Sequence, residues 1–155
     1  VSRSAKIRLE AFHHASWAAL QERFGAAGNY AAPGLTPFQH GNWLRAWFDT
    51  LGAQPGMQPI PLELRNAKTG EPVFGVPLVK HCAGTLKIVE FADGGLTDYN
   101  LPLVGAEFAG VSPNHLLSVL RRELGDADQL HFRKMPTHFA GQPNPFARGH
   151  CCCGR

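Results

Sequence analysis

Between Ile60 and Phe91 the chain lays down three alternating stretches joined by turns too short to hold a crossover, and few folds accommodate that pattern. Ile60, Leu62 and Leu64 alternate with Pro61, Glu63 and Arg65. Asn66 to Gly70 turns through Lys68-Thr69-Gly70, and Val73 to Val79 returns. Pro77 in that run suggests an edge strand or a bulge, because proline cannot donate to a ladder. A turn at Ala83-Gly84 leads to a third strand, Thr85 to Phe91. Period two with hairpin-length connections predicts an antiparallel meander.

The flanking segments supply what covers such a sheet. Lys6-Ile7-Arg8-Leu9-Glu10 alternates and reads as a short strand. Trp17, Leu20 and Phe24 follow at helical spacing, stopped by Gly25 and Gly28. A Gly/Pro/Asn-rich connection, residues 26–35, leads to the strongest helix signal in the chain. Thr36 is placed to cap it, Pro37 to occupy its first position and Gln39 to complete a capping box. Phe38, Leu44, Trp47, Phe48 and Leu51 form an apolar stripe, and Gly52 supplies the stop. Trp43 falls off the centre of that stripe, so it either packs under a loop or marks a contact surface.

After the meander, a Gly-rich loop runs from Ala92 to Val111. Ser112 caps a third helix, Pro113 opens it, Leu116, Leu117, Leu120 and Leu124 line one face, and Gly125 ends it. Gln129 to Arg133 is a last strand, with Leu130 and Phe132 on one side and His131 and Arg133 on the other. Met135 to Pro145 reads as loop. The order β-α-α-β-β-β-α-β predicts an α/β (α+β) architecture, with three helices covering a mainly antiparallel central sheet.

At 155 residues the chain has room for one domain with a real core. A net charge of +3, with lysines and arginines scattered, argues against nucleic acid. No apolar run approaches the roughly 20 residues that span a bilayer. The basic start, Val1 to Lys6, is followed by no apolar core of a secretory signal, so a cytoplasmic location is expected. Cys151, Cys152 and Cys153 are consecutive, a poor geometry for a disulfide or a metal site. The tail 147–155 differs in composition from what precedes it, as a frameshifted end would.

Several local sequences sharpen the picture. Thr36-Pro37-Phe38-Gln39-His40-Gly41-Asn42-Trp43-Leu44, the turn Thr69-Gly70-Glu71-Pro72, Pro77-Leu78, Thr97-Asp98-Tyr99-Asn100 with Pro102, and Lys134-Met135-Pro136 occur in that order. Together with the element order they resemble the N-terminal part of the CelD/BcsL-type acetyltransferases of cellulose biosynthesis. These belong to the GNAT superfamily and are related to the FemAB-like transferases. The resemblance implies a GNAT-like domain over residues 1–146 that continues into a C-terminal half not present here. It implies an acyl-CoA-dependent transferase in polysaccharide or cell-envelope biosynthesis, with this half shaping the cleft for a small-molecule or glycan acceptor and inactive alone. A non-catalytic binding or scaffolding domain of the same fold is the alternative.

The candidate chemistry is sparse. A CoA cradle needs a Gly-rich turn leading into a helix N-terminus. The stretch from Phe91 to Ser112 holds Gly94-Gly95 and Gly105 but no Q/R-x-x-G-x-G/A pattern, and Pro113 removes a donor N–H. No cofactor and no metal is therefore expected on this half, and acetyl-CoA or another acyl-CoA is expected only for a complete family member. Asp98, Tyr99 and Asn100 combine a carboxylate, a phenol and an amide in one loop and are the candidate acceptor-binding residues, with Trp43 as a further candidate. Asp and Asn also brace turns, and Tyr99 could fill the loop's core. His131 and Arg133 share a strand face that could border a cleft. Cys82 and His81 are neighbours on a strand and point to opposite faces, so no thiol–imidazole pair is expected. His13-His14 lacks the further ligands that a metal needs.

Overall fold

The computed structural model describes residues 7–25, 38, 40–139, 142–144 and 146. In chain order its elements are β1 (Leu9–His13), α1 (Trp17–Gly25), α2 (Gly41–Thr50), β2 (Gln58–Asn66), β3 (Pro72–Ala83), β4 (Leu86–Phe91) and β5 (Leu103–Val104), then α3 (Pro113–Glu123), β6 (Gln129–His131), β7 (His138–Phe139) and β8 (Gln142–Pro143). The architecture is α+β, a six-stranded mixed sheet with three helices among the described residues. The sheet order is β1-β2-β3-β4-β6, with β5 also on β3. Strands β1 to β4 pair antiparallel, and β6 joins β4 in parallel.

The two meander turns form as their residues dictate. Gly70 adopts φ +75°, and its N–H donates to the Asn66 carbonyl at 2.8 Å. The Asn66 side chain accepts the Lys68 N–H at 2.9 Å, an Asx turn.

β3 corrects the reading of Pro77. The strand is central and unbulged at that point; the irregular register lies at Leu64/Arg65. Pro61 and Pro77 face each other across β2 and β3. The Pro61 carbonyl accepts from the His14 N–H and the Pro77 carbonyl from the Ala92 N–H, at 2.9 and 2.8 Å. Both prolines therefore direct their backbone polar atoms away from each other, at a rung where no bond between β2 and β3 is required. On its other side β3 pairs with β4 down to Leu78↔Phe91, and with β5 at Gly75↔Leu103. β4 and β5 occupy one lane beside β3, and residues 92–102 leave that lane and return to it.

Alternation along β3 separates the two faces. Phe74, Val76 and Leu78 pack with Leu62, Leu64 and Val89 under Leu116, Val119, Leu120 and Leu124 of α3. On the opposite face Gly75 lies against Phe24 of α1. Trp17, Leu20 and Phe24 form a cluster there with Leu44 of α2 and Leu103. Trp47 of α2 packs on Val79 and Ala92. Phe24, Leu20, Leu116 and Leu120 are each no more than 1% exposed, so the predicted apolar faces of α1 and α3 are the buried ones.

Glu63, 1% exposed, sits on the α1 face of β2. It accepts from His14 Nε2 at 2.6 Å and from the Arg23 guanidinium at 3.3 Å. A carboxylate this deep is tolerated only because it is paired twice.

Other expectations shift. The first strand starts at Leu9 rather than Lys6, which lies outside the described residues, and it extends to His13 because Leu9 to His13 match Asn66 to Leu62 rung by rung. Gly28, Thr36, Pro37 and Gln39 also lie outside them. The second helix begins at Gly41 with His40 as its cap, the imidazole Nδ1 accepting from Asn42 N–H at 3.3 Å. Phe38 precedes the helix and meets Trp43 edge-on. The long loop contains β5 and a 3₁₀ turn, Phe108–Gly110, whose Phe108 stacks on Phe74 at 5.7 Å. The final segment is not plain loop: β7 and β8 form a small hairpin. Asn144, 1% exposed, holds that hairpin through the Pro136 carbonyl at 2.8 Å, and Phe146 inserts against Phe74 and Phe132. The tail 147–155 lies outside the described residues.

Two substitutions check this packing. At Gly105 an added Cβ would lie 1.8 Å from the Pro72 carbonyl oxygen. Gly105→Ala should cost about 2–3 kcal/mol in urea unfolding, because the obstacle is backbone and cannot rotate away. Glu63→Ala removes the shared partner of His14 and Arg23 and should cost about 2–4 kcal/mol, with an unchanged m-value.

Candidate functional site

The carboxyl ends of β4 and β6 lie side by side and parallel, and the excursion 92–102 passes beside them. Ligands in α/β sheets collect outside such strand ends, where neighbouring chains diverge and leave a crevice. A cavity of about 310 Å³ opens here, lined by Glu90, Phe91, Asp93, Gly94, Gly95, Asn100, His131, Arg133 and Lys134.

Its floor is polar by strand alternation. Val89 and Phe91 of β4 point into the α3 core, so Glu90 points the other way. Glu90 Oε1 lies 3.0 Å from His81 Nε2, and Glu90 Oε2 lies 3.4 Å from the Arg133 guanidinium. Arg133 is also 3.4 Å from His131 Nδ1, and its side chain is 70% exposed. Most of its N–H groups thus remain open to a ligand. The predicted pairing of His131 and Arg133 on one side is present, and that side borders the cavity.

The wall is a clamped loop. Asp93 accepts from the Gly95 N–H at 2.5 Å, the Asn100 amide at 2.7 Å and the Thr97 hydroxyl at 3.2 Å. Lys134 Nζ donates to the Gly95 and Thr97 carbonyls at 3.0 and 2.5 Å and stands 3.6 Å from Asp93. The Lys134 carbonyl accepts the Asn100 N–H at 3.0 Å, and the Arg133 carbonyl accepts from the Asn100 amide at 3.2 Å. Lys134 adopts φ +57°, a left-handed conformation that a lysine holds only when its surroundings enforce it. Burial works against ionisation of Asp93. The donated bonds from Gly95, Asn100 and Thr97 and the Lys134 ammonium outweigh it, and the carboxyl sits below its usual value of 3.8.

The sequence candidates do not converge as a group. Asn100 is buried and braces the loop while lining the cavity. Asp98 is exposed, and Tyr99 is 52% exposed rather than filling the loop's interior; neither lines the cavity. Thr97 takes the buried position instead. Trp43 is half-buried between the clusters of α1 and α2. Cys82 is exposed, and His81 beside it serves Glu90. His13 and His14 part company, to Glu123 and Glu63. No group of three or more metal-ligating side chains occurs among the described residues.

Glu90, Asp93 and Lys134 escaped the sequence reading. Glu90 carried one signal, an acidic residue on the strand side opposite Val89 and Phe91, and Asp93 another, an Asp-Gly-Gly turn. Lys134 stood only within the Lys134-Met135-Pro136 stretch, with nothing to mark its role, because that role depends on a distant loop. At the start of α3, Ser112 Oγ accepts the His115 N–H at 3.3 Å and Pro113 has no N–H. That helix end offers few donors to a diphosphate.

No family model, no curated protein and no solved structure matches this chain. No helix among the described residues is long and apolar enough to cross a membrane.

The clamp has a pH signature. A carboxylate depressed in the folded state contributes stability that is present above its unfolded value and lost as pH falls through the folded one. Amide exchange of residues 93–100 should accelerate on acidification below pH 3.8, the ordinary value for Asp93, beyond what the rest of the sheet shows. Asp93→Asn should abolish that extra acid response.

Proposed function

We propose that this chain forms the acceptor-shaping N-terminal half of a GNAT-like acyltransferase of the CelD/BcsL kind, acting in polysaccharide or cell-envelope biosynthesis. The observation that carries the reading is Glu90, a half-buried carboxylate held between His81 and Arg133 at the open ends of two parallel strands. A carboxylate so placed can take a proton from an amine or hydroxyl as it becomes a nucleophile, and a paired imidazole can pass that proton on. Arg133 offers donors to an anionic or hydroxyl-bearing part of the acceptor, while His131 lines the cavity with its Nε2 held by the Gln129 side-chain oxygen at 2.8 Å. Asp93, Asn100 and Lys134 keep the wall fixed, so the acceptor meets a preformed pocket.

Further support comes from the element order, which runs as the sequence resemblance implies up to β4, with β5 inserted before α3 and β6. The acyl-CoA donor is assigned to the second half of a complete family member, since Ser112 and Pro113 make a poor phosphate cradle. A binding or scaffolding role for the same cleft is the second reading. It is favoured by the His81 and Arg133 contacts that already occupy both oxygens of Glu90.

Titration of the ¹⁵N-labelled chain with glucosamine and, separately, with acetyl-CoA distinguishes these assignments. Glucosamine should move the amide signals of Glu90, Asn100, His131 and Arg133, and acetyl-CoA should move none. Saturable acetyl-CoA shifts centred on Gly94, Gly95 and Ser112 would reverse the assignment of the two halves. Glu90→Gln should leave glucosamine binding within about threefold, because the isosteric amide keeps the shape and one acceptor while losing proton-accepting power.

A further inference from the structure

β1 is an outer strand of the sheet, hydrogen-bonded to β2 alone among the described residues. Two bonds reveal which of its backbone groups face outward. The Ala67 N–H donates to the Arg8 carbonyl at 2.8 Å, and the His14 N–H to the Pro61 carbonyl at 2.9 Å. Direction alternates along a strand, so Arg8, Glu10, Phe12 and His14 address β2. Leu9, Ala11 and His13 turn their N–H and C=O groups to the free edge. An edge of this kind is a template for a further strand.

Beside it lies a groove of about 450 Å³, whose far wall is the His115, Val119 and Arg122 face of α3. Its two carboxylates are engaged, Glu10 with Arg65 at 3.2 Å and Glu123 with His13 at 2.8 Å. Its two arginines are not: Arg8 and Arg122 are exposed and have no ion pair or hydrogen-bonded side-chain partner among the described residues. His115 Nε2 is buried without a hydrogen-bond partner. The Leu9 side chain belongs to the core beneath α3, so alternation sends the Arg8 side chain to the other face. Among the described residues, one guanidinium without a charged partner therefore stands on each side of this edge.

We infer that this edge receives an acidic, extended segment of another protein as an added strand. Its backbone pairs with Leu9, Ala11 and His13, and two carboxylates an odd number of residues apart reach Arg8 and Arg122 from opposite faces. A second copy of the chain does not fit this chemistry. The β1 strand of such a copy carries one carboxylate, Glu10, which Arg65 already holds.

The test uses a fluorescein-labelled peptide, Thr-Glu-Val-Val-Glu-Thr, and its counterpart with lysine at both glutamate positions, read by anisotropy at low salt. The acidic peptide should bind saturably and the basic one at least about tenfold more weakly, because like charges across a small interface are strongly disfavoured. Arg8→Glu with Arg122→Glu should invert that preference. Ala11→Pro should remove binding while leaving the β1–β2 ladder intact, since the Ala11 N–H faces away from β2. In the unaltered chain the acidic peptide should slow exchange of the Leu9, Ala11 and His13 amides, a readout independent of how any variant folds. The inference is overturned if neither peptide binds, if both bind alike, or if those amides are protected by concentration-dependent dimerisation without peptide.

Discussion

The missing N–H of Pro77 is the constraint from which the cleft follows. Its carbonyl accepts from Ala92 toward the β4 side, so its nitrogen faces that side too and has nothing to donate. The lane beside β3 loses its reciprocal bond at this rung. β4 ends at Phe91, and pairing resumes only when Leu103 reaches Gly75. The intervening residues must go somewhere, and they go outward, beside the end of β6. A proline that reads as a sign of an edge strand instead opens a gap in the middle of the sheet.

An excursion of this kind carries many backbone polar groups and little apolar surface, so it holds its shape only if those groups are satisfied. Asp93 and Lys134 do this from opposite ends. One collects donors from Gly95, Thr97 and Asn100, and the other collects carbonyls from Gly95 and Thr97. Their charges offset each other across 3.6 Å. The cleft's fixed wall is thus electrically nearly neutral. The floor presents Glu90, His131 and Arg133, and of these the largely exposed Arg133 guanidinium keeps N–H groups open to a ligand. The same division between spent and unspent charge recurs at the β1 edge, where Glu10 and Glu123 are paired and Arg8 and Arg122 are not.

Much of the scaffold could be read before folding. The spacing of Trp17, Leu20 and Phe24 identifies α1, and the Ser112-Pro113 start and leucine face identify α3, because capping and amphipathicity are local properties. The meander of β2, β3 and β4 was legible for the same reason: period two and a Gly turn need no distant partner. The hairpin of β7 and β8 was not, because its stability rests on Asn144 and Phe146 reaching into the body of the protein. Within the candidate loop the sequence did not say which residues turn inward. Asn100 turned inward and Thr97 took the buried position, while Asp98 and Tyr99 stayed at the surface.

What the amino-acid sequence determined by itself was the kind and order of the main elements and which face of each helix is apolar, since these depend on residues within a few positions of one another. What only the tertiary structure decided was which charges are neutralised. Glu63 with Arg23, Glu90 with Arg133, and Asp93 with Lys134 each join residues far apart in the chain, as does the parallel seam of β4 and β6. A carboxylate's behaviour is set by the atoms that surround it in space, and a single sequence does not say which those will be.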